Sequence, residues 1–324
     1  MARIVAIGAS QGGIEALHAL ISGLPANFPA PILIVVHIGL GPSMLPSLLN
    51  DIRRLPASFA AQDERIRSGH IYIAPPDHHL LVTDGRLKLS RGPRENWTRP
   101  AIDPLFRSVA EEYGRQAIGV ILTGNLSDGT VGLYEIKRRG GTAIVQDPGD
   151  AEARSMPLSA LNNVAVDYCV PLAELPALLS RLVREAEIEE PEEIGVRAMP
   201  ELDLERPMQR PVAQTCPECG GAMREETIGN VTQFRCHIGH VLNAEVLAGA
   251  QLEILERDLS SVLRLLNERA ELSRDLAHKH NAHGNTQAQS LWLQAAEEAT
   301  KREEAIRNMT EAEWIRPESL GVAE

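Results

Sequence analysis

In the first half of the chain the apolar positions come in short unbroken runs. RIVAIGA (3–9), PILIVVH (31–37), AIGVILTG (117–124) and TAIVQD (142–147) are rich in β-branched residues and show no polar alternation. Runs of this kind suit strands that are covered on both faces. Between them the spacing shifts to threes and fours. Ile14, Leu17, Leu20 and Ile21 mark a helix directly after the first strand. Further helices are expected at about 43–53, 103–114, near 157–162 and 171–186, and in GLYEIKRR, which Gly140 and Gly141 stop. HIYIA (70–74) and HLLVT (79–83) read as strands, with 86–89 pairing to the latter. Alternating strands and helices need right-handed crossovers, so residues 1–185 are expected to form one doubly wound, Rossmann-like parallel α/β domain.

The pattern then changes. Residues 186–205 hold eight acidic residues against one basic, with prolines at 191 and 200. This reads as an extended acidic linker over 186–213. A small Cys/His segment follows at 214–242, and a helical region at 243–315. There Leu252, Leu255, Leu259, Val262 and Leu266 step by 3 and 4 as a heptad seam. The seam fades near HKHNAHGN (278–285), and Leu291, Ala295, Ala299, Ile306 and Met309 carry a second helix. A helical hairpin or a coiled coil that forms a homodimer is expected.

Composition narrows the classes. The chain has 324 residues, 44% hydrophobic but only 3% aromatic, and a net charge of −12. An acidic chain lacks the basic surface that nonspecific nucleic-acid binding needs. No run reaches the ~20 apolar residues of a membrane span, and no signal peptide is evident. Three of the four cysteines cluster, which favours a metal over disulfides. A cytoplasmic protein is expected.

Three residues carry candidate chemistry. Gly8-Ala9-Ser10-Gln11-Gly12 satisfies G-x-S-x-G between a strand and a helix. Ser10 there is a candidate nucleophile; the same glycine-rich loop also suits a bound phosphate or a plain turn. The missing second glycine of G-x-G-x-x-G counts against a dinucleotide. His37 ends the second apolar strand, and Asp128 lies just beyond the strand in GVILTGNLSDG (119–129). In a parallel sheet the functional crevice lies at the carboxyl ends of the strands. A base and an orienting acid would therefore share one edge with the serine. Alone, His37 also fits a strand-end histidine and Asp128 an Asp-Gly turn.

These stretches resemble the catalytic domain of CheB-type protein-glutamate methylesterases. The resemblance runs through IGASQGG, the strand ending VVH, GHIYIAPPDHHL, RPAID (99–103), GVILTGNLSDG and SMPLSAL, over about residues 2–185. It implies a serine esterase that demethylates glutamates, and deamidates some glutamines, on helical chemoreceptors, with no cofactor for that step. It places nucleophile, base and acid on Ser10, His37 and Asp128. The oxyanion would be held by backbone N–H groups of Gln11 and of the loop near Asn125. The alternative is a non-catalytic signalling module that binds an anion or a protein at the same loop. The family commonly has Thr at Gln11, Met-Pro at Ile38-Gly39 and Met at the start of the Asn125-Leu126 loop. These departures bear on substrate choice and rate. With the first strand at residue 3, no receiver domain is expected ahead of it.

Cys216-x-x-Cys219 with Cys236-x-x-x-His240 has the spacing of a Cys₃His structural zinc site. His237 is the alternative fourth ligand, and a vestigial or redox-active knuckle the alternative reading. Cys169 is expected to be a core thiol. His70, His78 and His79 are expected to be structural, and Arg99 and Asp103 to line the cleft or pair with each other.

Overall fold

The computed structural model describes residues 3–37, 41, 43–185, 211–312 and 314. The expected acidic linker lies, up to residue 210, outside them. The chain divides into two compact units, Met1–Leu247 and Ala248–Glu324.

The first unit is built on strands β1 (Ile4–Ala9), β2 (Ile32–Val36), β3 (Ala57–Phe59), β4 (Ile71–Ile73), β7 (Ala117–Ile121), β8 (Thr142–Gln146) and β9 (Tyr168–Val170). They form one parallel sheet in the order β3-β4-β2-β1-β7-β8-β9. Successive side chains of β1 enter opposite cores: Val5, Ile7 and Ala9 one, Ile4 and Ala6 the other. That two-sided burial explains the unbroken apolar runs. Helices α1 (Gly13–Gly23), α2 (Leu45–Asp51) and α6 (Leu175–Glu185) pack on the first face through Leu17, Leu45, Leu49 and Leu179. Helices α3 (Ile102–Tyr113), α4 (Thr130–Arg138) and α5 (Ser155–Asn163) pack on the second through Ile102, Leu133 and Met156. The doubly wound expectation holds.

From β1 the chain winds outward through β2, then returns to the other side of β1 as β7. The strand order reverses between β1 and β7, and the carboxyl ends flank a crevice there. An antiparallel hairpin, β5 (His79–Thr83) with β6 (Arg86–Ser90), turns at Asp84-Gly85. Strand β3 was not legible: three residues, of which only Ala57 is buried, give no run to read.

The Cys/His segment is an antiparallel sheet of β10 (Pro211–Thr215), β11 (Ala222–Ile228), β12 (Val231–Cys236) and β13 (Val241–Asn243). It belongs to the same compact unit as the α/β domain. Its small core is Cys216, Met223, Cys236, Leu242, Val246 and Leu247, with Trp97 of the α/β domain packed against it.

Two long helices follow, α7 (Ala244–Ala282) and α8 (Thr286–Glu311). Arg274 Nη2 donates to Thr300 Oγ1 at 3.0 Å. The expected seam is met in part. Leu252, Leu259 and Leu266 are half-buried and Ala299 is buried, while Leu255 and Val262 are exposed; the small residues Ala270, Ser273, Ala277 and Ala296 are buried as well.

Candidate active site and metal cluster

Ser10 follows the last residue of β1, and its N–H donates to Thr123 O at 3.0 Å. The chain then needs a left-handed residue to enter α1. Gly12, at φ 71°, supplies it without the Cβ clash other residues would meet. Across the crevice Gly124 comes so close that a Cβ there would lie 2.8 Å from Ser10 Cβ. The loop after β7 is thereby held beside the serine. His37 N–H donates to Ala9 O at 3.2 Å, which carries the ring over Ser10.

The three predicted residues meet. Ser10 Oγ lies 3.2 Å from His37 Nδ1, and His37 Nε2 lies 2.9 Å from Asp128 Oδ2. With the carboxylate facing Nε2, that nitrogen carries the proton. Nδ1 is left with a lone pair for the serine hydroxyl. The His37 side chain is 15% exposed and that of Asp128 3%, so the base sits at the mouth and the acid beneath it.

Asp128 accepts from every side. Ile102 N–H reaches Oδ2 at 2.7 Å; Asn96 Nδ2 and Gly129 N–H reach Oδ1 at 2.9 and 3.0 Å. Burial alone would push this carboxyl up. The bonds from His37, Ile102 and Asn96, with the His37 charge, outweigh it and hold the carboxyl at about 2. Beside it the fully buried Asp103 goes the other way: burial, then the charge of Asp128, pushes it well above the usual carboxylate range. The Asn96 amide bridges the two, donating to Asp103 Oδ2 at 3.0 Å as well.

Asn96 was missed in the sequence. It occupies a tight turn, 95–98, closed by Glu95 and Thr98 bonding each other's backbone. Asn96 and Trp97 both have positive φ, 48° and 63°. Such a pair is a hairpin-turn geometry that Asn tolerates and Trp does not favour. Thr98 Oγ1 also reaches His37 Nε2, at 3.4 Å. A buried amide in a polar stretch leaves no periodic signal, so only the Glu-Asn-Trp-Thr turn chemistry could have pointed to it.

Other expectations are corrected or met. Arg99 pairs with Asp77 at 2.6 Å rather than with Asp103, which instead takes the Gly132 N–H at 2.7 Å. Cys169 is exposed, because the edge strand β9 turns it outward. His70 bonds Ser58, and His78 bonds Pro76 O. His79 takes the Ala101 N–H on Nδ1 and donates from Nε2 to Pro93 O, bracing both ends of the segment that holds Asn96. Gln11 and Asn125 bond through their side chains at 2.6 Å, and neither N–H donates to another described residue.

The ligand atoms of Cys216, Cys219, Cys236 and His240 all lie within 4.8 Å of one another and could hold a metal ion. Cys219 Sγ is 3.7 Å from Cys236 Sγ. His240 Nδ1 is 3.6 Å from Cys216 Sγ and 3.5 Å from Cys236 Sγ. Tetrahedral zinc–thiolate bonds of about 2.3 Å set ligands roughly 3.7 Å apart. The spacing fits. Burial pushes the Cys236 thiol up, but the His240 and Ile238 N–H groups and the His240 ring bring it down to about 7. Burial raises Cys216 to about 11. His237 is not in the cluster; its ring fills the space beside Gly221, where a Cβ would meet it at 2.4 Å.

A family model described as CheB methylesterase matches residues 5–179. The chain belongs to the CheB methylesterase family. A relative from Leptospira interrogans is 43% identical over 180 residues, which cover 55% of this chain and 93% of that protein. The protein-glutamate methylesterase/protein-glutamine glutaminase 2 of Anaeromyxobacter dehalogenans is 41% identical over 182 residues, 56% of this chain and 53% of its own length. The crystal structure of the Thermotoga maritima CheB methylesterase catalytic domain matches at 36% identity and a TM-score of 0.53. That match covers 56% of this chain and 99% of the other. Ser10, His37, Asn96 and Asp128 fall inside the CheB methylesterase match, and the four residues of the metal cluster fall outside it. Among the described residues no helix is long and apolar enough to cross a membrane.

Proposed function

We propose that this chain hydrolyses glutamate methyl esters on methylated chemoreceptor-like helical proteins, through Ser10, His37 and Asp128. The observation that carries this is the continuous contact Ser10 Oγ–His37 Nδ1–His37 Nε2–Asp128 Oδ2 at the reversal of strand order. His37 Nδ1 takes the hydroxyl proton as Oγ attacks the ester carbonyl. Asp128 stabilises the imidazolium that forms. The N–H groups of Gln11 and Asn125 face the developing oxyanion. The imidazolium then gives its proton to the departing methoxide, and methanol leaves. Water, deprotonated by Nδ1, attacks the glutamyl-serine ester; the acyl–Oγ bond breaks and Oγ regains the proton. A glutamine side chain follows the same course with ammonia as the leaving group.

The reaction would take place in the cytoplasm, where receptor signalling helices lie. A homodimer through the C-terminal helices is part of the reading. Exposed Leu255, Val262, Leu265 and Leu272 on α7 recur at heptad positions, which supports a helical partner.

Wild-type full-length protein is expected to release methanol from a methylated receptor cytoplasmic fragment and to be labelled at Ser10 by a fluorophosphonate. Labelling without methanol would keep the hydrolase and reject this substrate. No labelling would favour a module that binds an anion or protein at the loop.

Cys216, Cys219, Cys236 and His240 are proposed to hold zinc as a structural ion, since protein ligands fill all four positions. Elemental analysis is expected to find about one zinc per chain. Cys219→Ser should abolish tight retention while leaving the α/β domain folded by circular dichroism; full zinc retention in that variant counts against the site.

A further inference from the structure

The Cys/His sheet does more than sit beside the α/β domain. Its last strand reaches the turn that serves the catalytic acid. Both side-chain N–H contacts of Asn96 go to carboxyl groups, those of Asp103 and Asp128. Its Oδ1 must therefore point away, and there it accepts from Asn243 N–H at 3.0 Å. Asn96 N–H in turn donates to Val241 O at 2.8 Å, and Val241 N–H to Arg94 O at 3.3 Å. Asn243 Nδ2 donates to Ser127 O at 3.2 Å and Ser127 Oγ at 3.1 Å, on the residue immediately before Asp128. Gln233 of β12 holds the Asn243 Oδ1 at 2.7 Å. Asn243 is fully buried and Asn96 only 4% exposed, so water cannot replace these partners.

The consequence is geometric. An amide at position 96 could turn over and set its oxygen against the Asp128 carboxylate. The Asn243 N–H favours the orientation that presents Nδ2. Trp97, the neighbour in the same strained turn, is half-buried against the core of the Cys/His sheet. Strand β13 thus grips the turn from outside while Asn96 and Thr98 touch Asp128 and His37 from inside.

We infer that Asn243 is a positioning residue for the catalytic acid, through which the Cys/His sheet sets the Asp128–His37 geometry. The inference rests on the esterase reading above. It is specific to a chain with this sheet, because residue 243 lies outside the CheB methylesterase match.

The test uses the full chain and a fluorophosphonate as the Ser10 probe, so that it does not depend on the receptor substrate. The maximal labelling rate, kinact, and the probe affinity, KI, are measured for wild type, Asn243→Ala and Gln233→Met, well below each protein's melting temperature. Asn243→Ala keeps the backbone N–H that Asn96 accepts and removes the Nδ2 bonds to Ser127, the residue before Asp128. Gln233→Met removes the amide that orients the Asn243 side chain, without shortening residue 233. It decides the matter if Asn243→Ala does not fold. Both variants are expected to lose about tenfold in kinact, the lower end of what losing a hydrogen-bond partner behind a metal ligand costs, with KI within about twofold. A purely structural role would lower the melting temperature and leave kinact alone. Wild-type kinact in the folded variants overturns the inference while the esterase reading stands. An unlabelled wild type overturns both.

Discussion

Ser10→Ala is expected to bring methanol release down by about 10⁶-fold, the loss seen when the nucleophile of a serine triad is removed alone. The size follows from what disappears. Among the described residues His37 Nδ1 is bonded to no hydroxyl but that of Ser10, so proton transfer has nothing to activate. On the proposed assignment, what remains is substrate binding and the N–H groups of Gln11 and Asn125, worth about 10³-fold over water in such enzymes. Stability should hardly change. The alanine keeps the Cβ that packs against Gly124, and Ser10 Oγ makes no hydrogen bond except to His37 among the described residues. Methanol assayed beside thermal melting checks both halves. A residual rate near one tenth would remove Ser10 from the role of nucleophile.

Asp128→Asn is expected to cost about 10⁴-fold in kcat, by favouring the wrong tautomer of the base. Here it should also destabilise the protein by at least about 1–3 kcal/mol. All of the neighbours that hydrogen-bond Asp128 are donors: His37, Ile102, Asp103, Gly129 and Asn96. A carboxylate can accept from all of them; an amide must turn an NH₂ toward some. The acid side of stability should change too. The folded carboxyl sits at about 2, below its ordinary 3.8. Its stabilisation is therefore fully present above about pH 4 and lost as pH falls through 2. Denaturant melts between pH 5 and 2 should show this loss in wild type and a shallower one in the variant. Equal slopes would mean that Asp128 is not held ionised by these contacts.

How far the sequence could be read depended on the kind of signal each part leaves. The parallel strands were plain because burial on both faces removes every polar residue from IVAIGA and ILIVV. The triad was plain for a related reason: each member stands just past an apolar run, so the runs themselves put Ser10, His37 and Asp128 on one edge. Elements whose signal is tertiary were not. Strand β11, AMREETI, buries only Met223 and reads as polar coil. The exposure of Cys169 follows from β9 being an edge strand, a fact of sheet order. In α7 the leucines suggested the seam, yet Ala270, Ser273 and Ala277, small residues that allow close packing, are the ones fully buried there; in α8 Ala299 is buried as its spacing suggested. The pair Asn96–Asn243 joins residues that nothing in local spacing connects.

That last contact also bears on how the protein is made. Ser10, His37, Asn96 and Asp128 all leave the ribosome well before Asn243, and domains fold as units during synthesis. On the assignment above, a nascent α/β domain carries its nucleophile and base before the outer support of its acid exists. The 95–98 turn, with Trp97 still uncovered, then waits on the arrival of β13. Full reactivity becomes a late step of biosynthesis, reached only after the Cys/His sheet has closed over that tryptophan.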